Sequence, residues 1–480
     1  MAAPVLSDTP HPAGASTAIG ISALIDARPL TLLQLLVAVL CGLAMFIDGY
    51  DLQALPLAVP SIARQMQVAV PQFGLALAAT TVGLALAGVF LAPLGDRIGR
   101  KPAVMAALLI IGASCLLTIT ATSPMQFALW RFATGLGLGF GIPNCNAWTA
   151  EYAPVRNRAL ILVLMNAAIS AGAFLSAFIA PQLITAWGWQ GTFIVGGVLP
   201  LLLAGALAFA PESLKFLVNR RPRDPRIGRL LSRIAPDFST SGASPAGTPA
   251  AAATPASATK SATAPATAPA PAVATAATAS ADPPRLSVAA VLTPELRTRT
   301  LLLWLVTALN LFILFLLLNW LPTVLAAAGL PAAAALQGTA LVQLGGLIGG
   351  IALSRFIDRG HTLPALRSAF IIAAVCLGAF LVVPAGGIWN ALLLLIGLGV
   401  SGAQLGLNAL ATAYYPSAIK ATGMSWVGVV GQSGAFLAPL AGSWLIARQV
   451  APTHILALLV LPALACVAVV LALRPQWQAH

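Results

Sequence analysis

Two carboxylates within a long apolar stretch are the sharpest chemical feature of the sequence. Asp48 and Asp51 enclose Gly49 and Tyr50 in the run Asp48-Gly49-Tyr50-Asp51. Residues three apart lie on one face of a helix, so the two acids are expected to be neighbours. Acids inside a membrane helix are costly and by default mark an ion or proton pathway. The pair is therefore predicted to take up and release protons; acids that cap a turn at the end of a helix are the alternative.

One arginine is the natural electrostatic partner of these acids. Arg131 is the only strongly basic residue deep within an apolar stretch. The first stretch is expected to end near Asp51 and the fourth to begin near Met125, which places Arg131 about two helical turns from the same face. A guanidinium forms bidentate pairs with carboxylates. Arg131 is therefore predicted to neutralise Asp48 or Asp51, or to bind the carboxylate of a small molecule.

A short polar loop follows the second apolar stretch, with the sequence Ala92-Pro93-Leu94-Gly95-Asp96-Arg97-Ile98-Gly99-Arg100-Lys101. Its glycines permit a tight turn. Asp96 is placed to hold the terminus or an arginine of another helix and to release it during a conformational change. The loop is therefore predicted to act as a gate through Asp96, Arg97, Gly99 and Arg100. A loop that only carries positive charge on one side of a membrane is the alternative.

Glu151 is a second candidate gate residue, because it is the one acid in the segment Glu151-Tyr152-Ala153-Pro154-Val155-Arg156-Asn157-Arg158. This segment is expected at the same membrane face as the loop at 92–101. Glu151 is predicted to pair with Arg97, Arg100 or Arg158, and partial burial makes such a pair stronger than a surface pair. An ordinary carboxylate at the membrane interface is the alternative.

Polar and aromatic residues within the apolar stretches are candidates for binding a small molecule. Aromatic rings offer stacking surfaces, whereas Asn and Gln also join helices to one another in membrane bundles. Besides Arg131, the predicted binding residues are Tyr50, Asn144, Trp320, Gln343, Gln404, Asn408 and Gln432.

The elements that position these residues are predicted to be membrane-spanning helices. Of the 480 residues, 59% are hydrophobic and 8% are charged, too few charges for the surface of a soluble protein. A bilayer core needs about 20 apolar residues per helix. Uncharged stretches supply 12 helices, at 29–47, 65–95, 102–130, 132–150, 159–211 (two), 300–354 (two), 368–419 (two), 421–447 and 449–473. The predicted fold is therefore all-α, with 12 transmembrane helices.

The net charge of +13 does not indicate a nucleic-acid partner, because the basic residues fall on one side of the predicted spans. That bias places both termini in the cytoplasm, for a protein of a bacterial-type inner membrane. The sequence has no G-x-x-x-x-G-K-[ST] phosphate loop, and its 4 His and 5 Cys show no metal-site spacing. An ATP-driven pump and an enzyme are therefore disfavoured, no metal or cofactor is expected, and the cysteines are expected to pack in the bundle.

A repeat divides the chain into two halves. A shift of 262 residues (358 − 96) aligns Asp96-Arg97 with Asp358-Arg359, which adds Asp358 and Arg359 to the gate candidates. Parallel six-helix repeats imply alternating access to a site at the membrane midplane. The predicted order is a tail at 1–29, a six-helix bundle at 30–211, a cytoplasmic linker at 212–299 that is rich in Ala, Pro, Thr and Ser from about 236 to 285, a second bundle at 300–473 and a tail at 474–480.

These motifs resemble those of a known transporter family. The loop at 92–101 resembles the signature loop of the major facilitator superfamily, and Asp48-Gly49-Tyr50-Asp51 resembles the D-G-x-D motif of its aromatic acid:proton symporters. The likeness continues at 131–139, 211–213, 320–322, 343–346 and 402–408. It implies proton-driven uptake of a benzoate-like or hydroxybenzoate-like acid, with Asp48, Asp51, Arg131 and Glu151 important for transport.

The chain departs from that family's pattern at Gln432, where relatives often have an arginine. An amide does not neutralise a carboxylate, so the substrate stays open: the fold also serves importers of other organic acids or sugars and exporters of drugs or metabolites. The expected partners are a small organic acid, protons and the lipid bilayer. The protein is expected to act as a monomer and to be driven by the proton gradient alone.

Overall fold

A computed structural model describes residues 25–26, 30–221, 224–234, 291–416 and 419–473. Within these residues the first half consists of α1 Leu32–Met66, α2 Gly74–Phe90, α3 Arg100–Thr118, α4 Pro124–Tyr152, α5 Val155–Trp187 and α6 Gln190–Leu207. The second half consists of α7 Arg297–Ala327, α8 Ala332–Asp358, α9 Thr362–Ala379, α10 Ile388–Tyr414, α11 Lys420–Ala447 and α12 Pro452–Ala472. Two short helices, Leu214–Arg220 and Arg226–Ile234, begin the predicted linker. Its low-complexity part and the tail at 474–480 lie outside the described residues.

The all-α membrane fold is confirmed. In the described part of the chain, eleven helices are long and apolar enough to cross a membrane. The remaining long helix is α4, which has 29 residues but carries Arg131 and Asn144 among its apolar side chains. Both of these polar residues are buried, because α4 packs between α1, α2 and α3.

Local signals explain where several helices begin and end. Thr31 and Gln34 form a capping box at the start of α1, each accepting from the backbone N–H of the other. Gly188 and Gly329 have φ of +69° and +93° and follow α5 and α7, so the chain turns at conformations that glycine adopts without strain. The helix breaks predicted near Gly188, Gly329 and Pro384 are all present.

The first helix is longer than predicted. Because charged residues are expected at the ends of spans, the sequence predicts that the first span ends at residue 47. The helix instead continues through Pro56 and Pro60 to Met66, so Asp48 and Asp51 lie near its middle. Their side chains are 2% and 1% exposed. The bundle interior encloses both acids, and a role as caps of an external turn is wrong.

The repeat is visible in the helix contacts. Gly135 of α4 lies so close to the carbonyl of Thr80 in α2 that a Cβ would collide, and 262 residues later Gly397 lies in the same way against the carbonyl of Val342. The same shift relates three further glycine pairs that each pack against corresponding backbone carbonyls: Gly83 with Gly345, Gly137 with Gly399 and Gly172 with Gly434. The two halves are therefore pseudo-symmetric six-helix bundles, as predicted.

The halves meet through α1 with α7, α2 with α11 and α5 with α8. We call the membrane face at which residues 92–101 lie the loop end, and the opposite face the distal end. At the distal end the Ser443 hydroxyl of α11 donates to the Pro71 carbonyl at 2.6 Å. An apolar cluster of α1, α5 and α8 residues joins the halves there: Leu57, Ala177, Ala180, Leu336 and Ala340. The structure is therefore closed at the distal end.

Candidate functional site

A charged cluster is buried inside the first half. Asp51 of α1, Cys115 of α3 and Arg131 of α4 are each at most 1% exposed. The Cys115 thiol donates to Oδ1 of Asp51 with an Sγ–Oδ1 distance of 2.9 Å, and Nη1 of Arg131 lies 4.0 Å from the same sulfur. The predicted acid and the predicted arginine thus meet through a cysteine that the sequence had suggested only for packing.

Asp51 and Arg131 both retain unused hydrogen-bonding capacity. In the described part of the chain the ion pairs lie near the loop end, and these two residues do not form one. Oδ2 of Asp51 and both Nε and Nη2 of Arg131 are buried without a hydrogen-bond partner, while the guanidinium lies 5.8 Å from the ring centroid of Phe193. Unpaired buried polar atoms are costly. The cluster is therefore able to accept a proton at the carboxylate and an anion at the guanidinium.

Residues of α6 shape the space around Asp51. A Cβ at Gly196 would lie 2.6 Å from Oδ1 of Asp51 and 3.4 Å from Cε1 of Tyr50. The Tyr50 hydroxyl donates to the Thr192 carbonyl at 3.1 Å, and Tyr50 is 2% exposed. Tyr50 therefore belongs to this buried cluster, and Gly196 leaves the room that the Asp51 carboxylate occupies.

Asp48 lies one turn from Asp51 on α1, as the spacing predicted. Its Oδ1 is buried without a hydrogen-bond partner. Gly49 fixes this part of α1 against α5, because a Cβ there would collide with the Ile169 carbonyl. The first half thus encloses two carboxylates at a tightly packed helix crossing.

At the loop end, Arg100 connects three acceptors. Its Nε donates to Oε1 of Glu151 at 3.2 Å, its Nη1 donates to Oδ1 of Asn144 at 3.1 Å, and its Nη2 pairs with Asp96. Of the three arginines predicted as partners of Glu151, the structure shows Arg100 in contact with it. We call Asp96, Arg100, Asn144 and Glu151 the gate cluster, after the predicted role of most of its members. Asn144, predicted to bind substrate, is placed here and apart from the buried cluster of Asp51, Cys115 and Arg131.

Two residues beyond α6 complete the gate cluster, and neither was among the predicted site residues. Oε1 of Glu212 accepts from the backbone N–H groups of Arg100 and Lys101 at 3.0 and 3.1 Å. The Ser213 hydroxyl donates to Oε2 of Glu151. Burial raises the pKa of Glu212 above its ordinary value, and its backbone hydrogen bonds and the Lys101 ammonium oppose that shift.

Gly99 explains why this loop packs so closely against Glu212. Its φ of +111° is a conformation that L side chains rarely adopt, and a Cβ there would collide with the Glu212 carboxylate. Gly99 is thus placed in the gate cluster as a residue that permits close approach.

Arg158, also predicted as a partner of Glu151, bonds to other groups. Nε and Nη2 of Arg158 donate to the Ala153 carbonyl at 3.1 and 3.0 Å, and Nη2 lies 3.8 Å from Oδ1 of Asp26. Arg97 and Arg359 are exposed, and the side chain of Asp358 lies outside the described residues.

Two predicted binding residues of the second half belong to a chain of amides. Nδ2 of Asn310 in α7 donates to Oε1 of Gln404 in α10 at 2.8 Å, and Nε2 of Gln404 donates to Oδ1 of Asn408 at 3.3 Å. Asn310 is fully buried, whereas Asn408 is exposed. We call Asn310, Gln404 and Asn408 the amide chain.

The remaining predicted binding residues lie elsewhere in the second half. Trp320 is fully buried, and its Nε1 donates to the Pro439 carbonyl at 2.9 Å, which joins α7 to α11. Gln343 of α8 is 8% exposed. Gln432 of α11 has a buried Oε1 without a hydrogen-bond partner, so it retains a free acceptor.

Two related helical halves, closed against each other at one membrane face and enclosing carboxylates and an arginine within one half, define a polytopic membrane protein of the transporter class. The family model of the Major Facilitator Superfamily matches residues 41–439. A gallate transporter of Pseudomonas putida is 32% identical over 455 residues, and the match covers 93% of each chain. The 4-hydroxybenzoate transporter PcaK of the same species is 31% identical over 449 residues, again with 93% of each chain covered.

A solved structure shares the fold. The inward-facing, unoccupied structure of a bacterial homologue of the human lysosomal transporter Spinster has a TM-score of 0.62 and 14% identity, over 92% of this chain and 95% of that one. The chain belongs to the Major Facilitator Superfamily, within the group of carriers that includes the gallate and 4-hydroxybenzoate transporters. It is a transporter of this type and not an enzyme.

Proposed function

We propose that this protein carries a small aromatic carboxylic acid across a bacterial inner membrane together with protons, by alternating access. The observation that supports this most directly is the buried cluster of Asp51, Cys115 and Arg131, in a chain whose relatives are named for gallate and 4-hydroxybenzoate. A cation and carboxylates enclosed in a membrane bundle are expensive, and by default they serve transport.

Competition for Arg131 couples the acid to the proton. The guanidinium can neutralise Asp51 or the carboxylate of a substrate, and a buried carboxylate without a cation costs several kcal/mol. When a substrate takes the guanidinium, protonation of Asp51 removes the remaining negative charge. Proton and acid therefore favour each other's binding, which is the reciprocal coupling that a symporter requires.

The gate cluster supplies the conformational part of the cycle. In this structure, which is closed at the distal end, Asp96 pairs with Arg100 of the same loop, and the Asp96 side chain is 60% exposed. Because it is exposed, Asp96 can exchange this partner for a group of the second half when the loop end closes. Arg100 and Glu151, both about 15% exposed, hold the loop against α4 in this state.

Uptake into proteoliposomes tests the proposal. Labelled 4-hydroxybenzoate and benzoate are offered under an inside-alkaline pH gradient, with and without a protonophore, and protein-free liposomes correct for passive entry. The wild-type protein should accumulate at least one acid, and both the protonophore and Asp51→Asn should abolish accumulation. The matched control is Asp224→Asn. Asp224 is an acid of the linker, and its Oδ1 accepts from the backbone N–H of Arg226. Uptake that ignores the gradient, or that survives Asp51→Asn, contradicts the proposal.

A further inference from the structure

Cys115 occupies the gap between the two opposite charges of the buried cluster. Its thiol donates to Oδ1 of Asp51 at 2.9 Å, and its sulfur lies 4.0 Å from Nη1 of Arg131. No ion pair joins this carboxylate to this guanidinium, both of which the structure describes. A neutral side chain therefore stands where the two charges would otherwise meet.

The crossing of α3 and α4 fixes the thiol at this point. One residue before Cys115, the hydroxyls of Ser114 and Thr134 lie 2.8 Å apart and join the two helices. A Cβ at Gly137 would lie 3.0 Å from the carbonyl oxygen of Ala107, so α4 runs directly against α3. The backbone that carries the thiol thus has little freedom to move away from the two charges.

The second half of the chain shows that packing alone does not require a thiol here. The shift of 262 residues carries the three members of the cluster onto Ile313, Leu377 and Leu393, which are all fully buried. The helices cross in the same register in both halves, since Gly399 approaches the Ala369 carbonyl as its counterpart does in the first half. A leucine therefore fills this position where no charges flank it, and a thiol fills it where an acid and an arginine do.

A direct ion pair would occupy both charges. A guanidinium and a carboxylate pair bidentately, and separating a buried pair is strongly unfavourable. A thiol is only a weak donor and a weak acceptor, so its contacts hold the charges in place without neutralising them. This arrangement leaves Nε and Nη2 of Arg131 open to an anion and Oδ2 of Asp51 open to a proton.

Resting on the proposed function, we propose that Cys115 is a positioning residue that holds Asp51 and Arg131 apart, so that the substrate carboxylate meets an unpaired guanidinium. Without the sulfur, the two charges are drawn into direct contact, and the substrate must displace Asp51 before it binds. Removal of the sulfur should therefore weaken the binding of the acid. A loss of packing alone would instead lower the amount of folded carrier and leave the affinity unchanged.

Cys115→Ala removes the sulfur, and Cys115→Ser restores a donor at the same position. The matched control is Cys466→Ala, which removes a buried thiol of α12 that lies 3.9 Å from the Val306 carbonyl. The KM and maximal rate of 4-hydroxybenzoate uptake are measured in proteoliposomes, and the Kd is measured by isothermal titration calorimetry on the purified full-length protein. Cys115→Ala should raise KM and Kd at least about tenfold, the value of one hydrogen bond to a charged group, with the maximal rate per folded protein little changed. Cys115→Ser and Cys466→Ala should stay near the wild type.

The S–H stretching band in the infrared spectrum reports the bridge without any ligand, because a thiol that donates to a carboxylate absorbs at a lower frequency than a free thiol. The band of Cys115 is identified by its loss in Cys115→Ala. Asp51→Asn should raise its frequency, since an amide oxygen accepts more weakly than a carboxylate. A band that Asp51→Asn leaves in place overturns the bridge.

The outcomes separate the positioning role from the proposed function. If Cys115→Ala lowers only the maximal rate, or if Cys115→Ser binds the acid as weakly as Cys115→Ala, the positioning role is overturned while transport stands. If the affinity depends on Cys115 but the wild type accumulates no acid under a proton gradient, the positioning role stands and the transport proposal fails. If the wild type does not bind the acid, both are overturned.

Discussion

Replacing Gly196 with alanine is expected to displace the Asp51 carboxylate without unfolding the bundle. The added Cβ would stand 2.6 Å from Oδ1 of Asp51, where ordinary contact begins at 3.4 Å, so the carboxylate must retreat by about 0.8 Å. The same oxygen accepts a hydrogen bond from the Cys115 thiol at 2.9 Å. A retreat therefore strains or breaks that hydrogen bond.

The magnitude follows from two opposing effects on the fold and one on transport. Overpacking a core costs about 1–3 kcal/mol, while glycine to alanine within a helix returns about 1 kcal/mol, so the free energy of unfolding should fall by about 0–2 kcal/mol. The atom that the added Cβ displaces belongs to Asp51, the residue proposed to bind the proton. If about 1–3 kcal/mol appears in the barrier of the proton-coupled step, uptake falls about 5- to 160-fold.

The assay is gradient-driven uptake in proteoliposomes, normalised to the amount of folded protein, with thermal unfolding in detergent measured in parallel. Gly205→Ala is the matched control, because Gly205 lies in the same helix and a Cβ there meets nothing within 4 Å. Gly205→Ala should transport as the wild type does. Equal uptake by the Gly196→Ala and Gly205→Ala proteins would refute the argument that Gly196 makes room for a functional carboxylate.

Three further predictions concern the gate cluster and the distal closure. Burial raises the pKa of Glu212 in the folded state, so the wild type loses stability as pH rises from about 4.5 through the raised pKa. Glu212→Gln does not titrate, and its melting temperature should therefore rise relative to that of the wild type over this range. Melting temperatures of the two proteins that change in parallel from pH 4 to 8 would contradict this. Arg100→Lys should lose about 1–3 kcal/mol of stability, since an ammonium does not reach all three acceptors, and an unchanged melting midpoint in detergent counts against it. Ser443→Ala should shift the equilibrium between the closed and open distal end about two- to tenfold towards the open form, and spin-label distances across that end should lengthen. The control Ser433→Ala removes a hydrogen bond within α11 and should leave these distances unchanged.

Charge in an apolar sequence made part of the site predictable. Asp48, Asp51 and Arg131 stand out because little else in the spans is ionisable, and the helical spacing of the acids places them together. The same logic found Glu151 and Arg100 at one membrane face. It also predicted the repeat from a few motifs, and the glycine contacts of the two halves follow that shift.

The positions that depend on neighbours in space were not predictable in this way. Cys115 and Gly196 belong to residue types that packing explains equally well, and only the meeting of α1, α3 and α6 brings them to Asp51. Glu212 follows α6 in a polar segment, and its role appears when the chain folds back onto the loop at 92–101. The predicted end of α1 is wrong because the sequence alone does not distinguish a buried acid from an acid at the end of a helix.

The amides show the limit most clearly. Asn144 and Asn408 look alike in the sequence, as polar residues in apolar helices. The structure places Asn144 against Arg100 in the gate cluster and Asn408 at the exposed end of the amide chain. Which amide joins helices and which one faces open space depends on helix rotation, and no short motif encodes it.

Proton movement driven by the substrate alone tests the central claim most directly. Proteoliposomes that contain a trapped pH-sensitive dye receive an inward gradient of 4-hydroxybenzoate at neutral pH, with no imposed proton gradient and with protein-free liposomes as the reference. The account predicts internal acidification above that reference for the wild type, and none for Asp51→Asn. Uptake of the acid without acidification, or equal acidification by both proteins, would contradict the assignment of a proton-coupled carrier that works through Asp51.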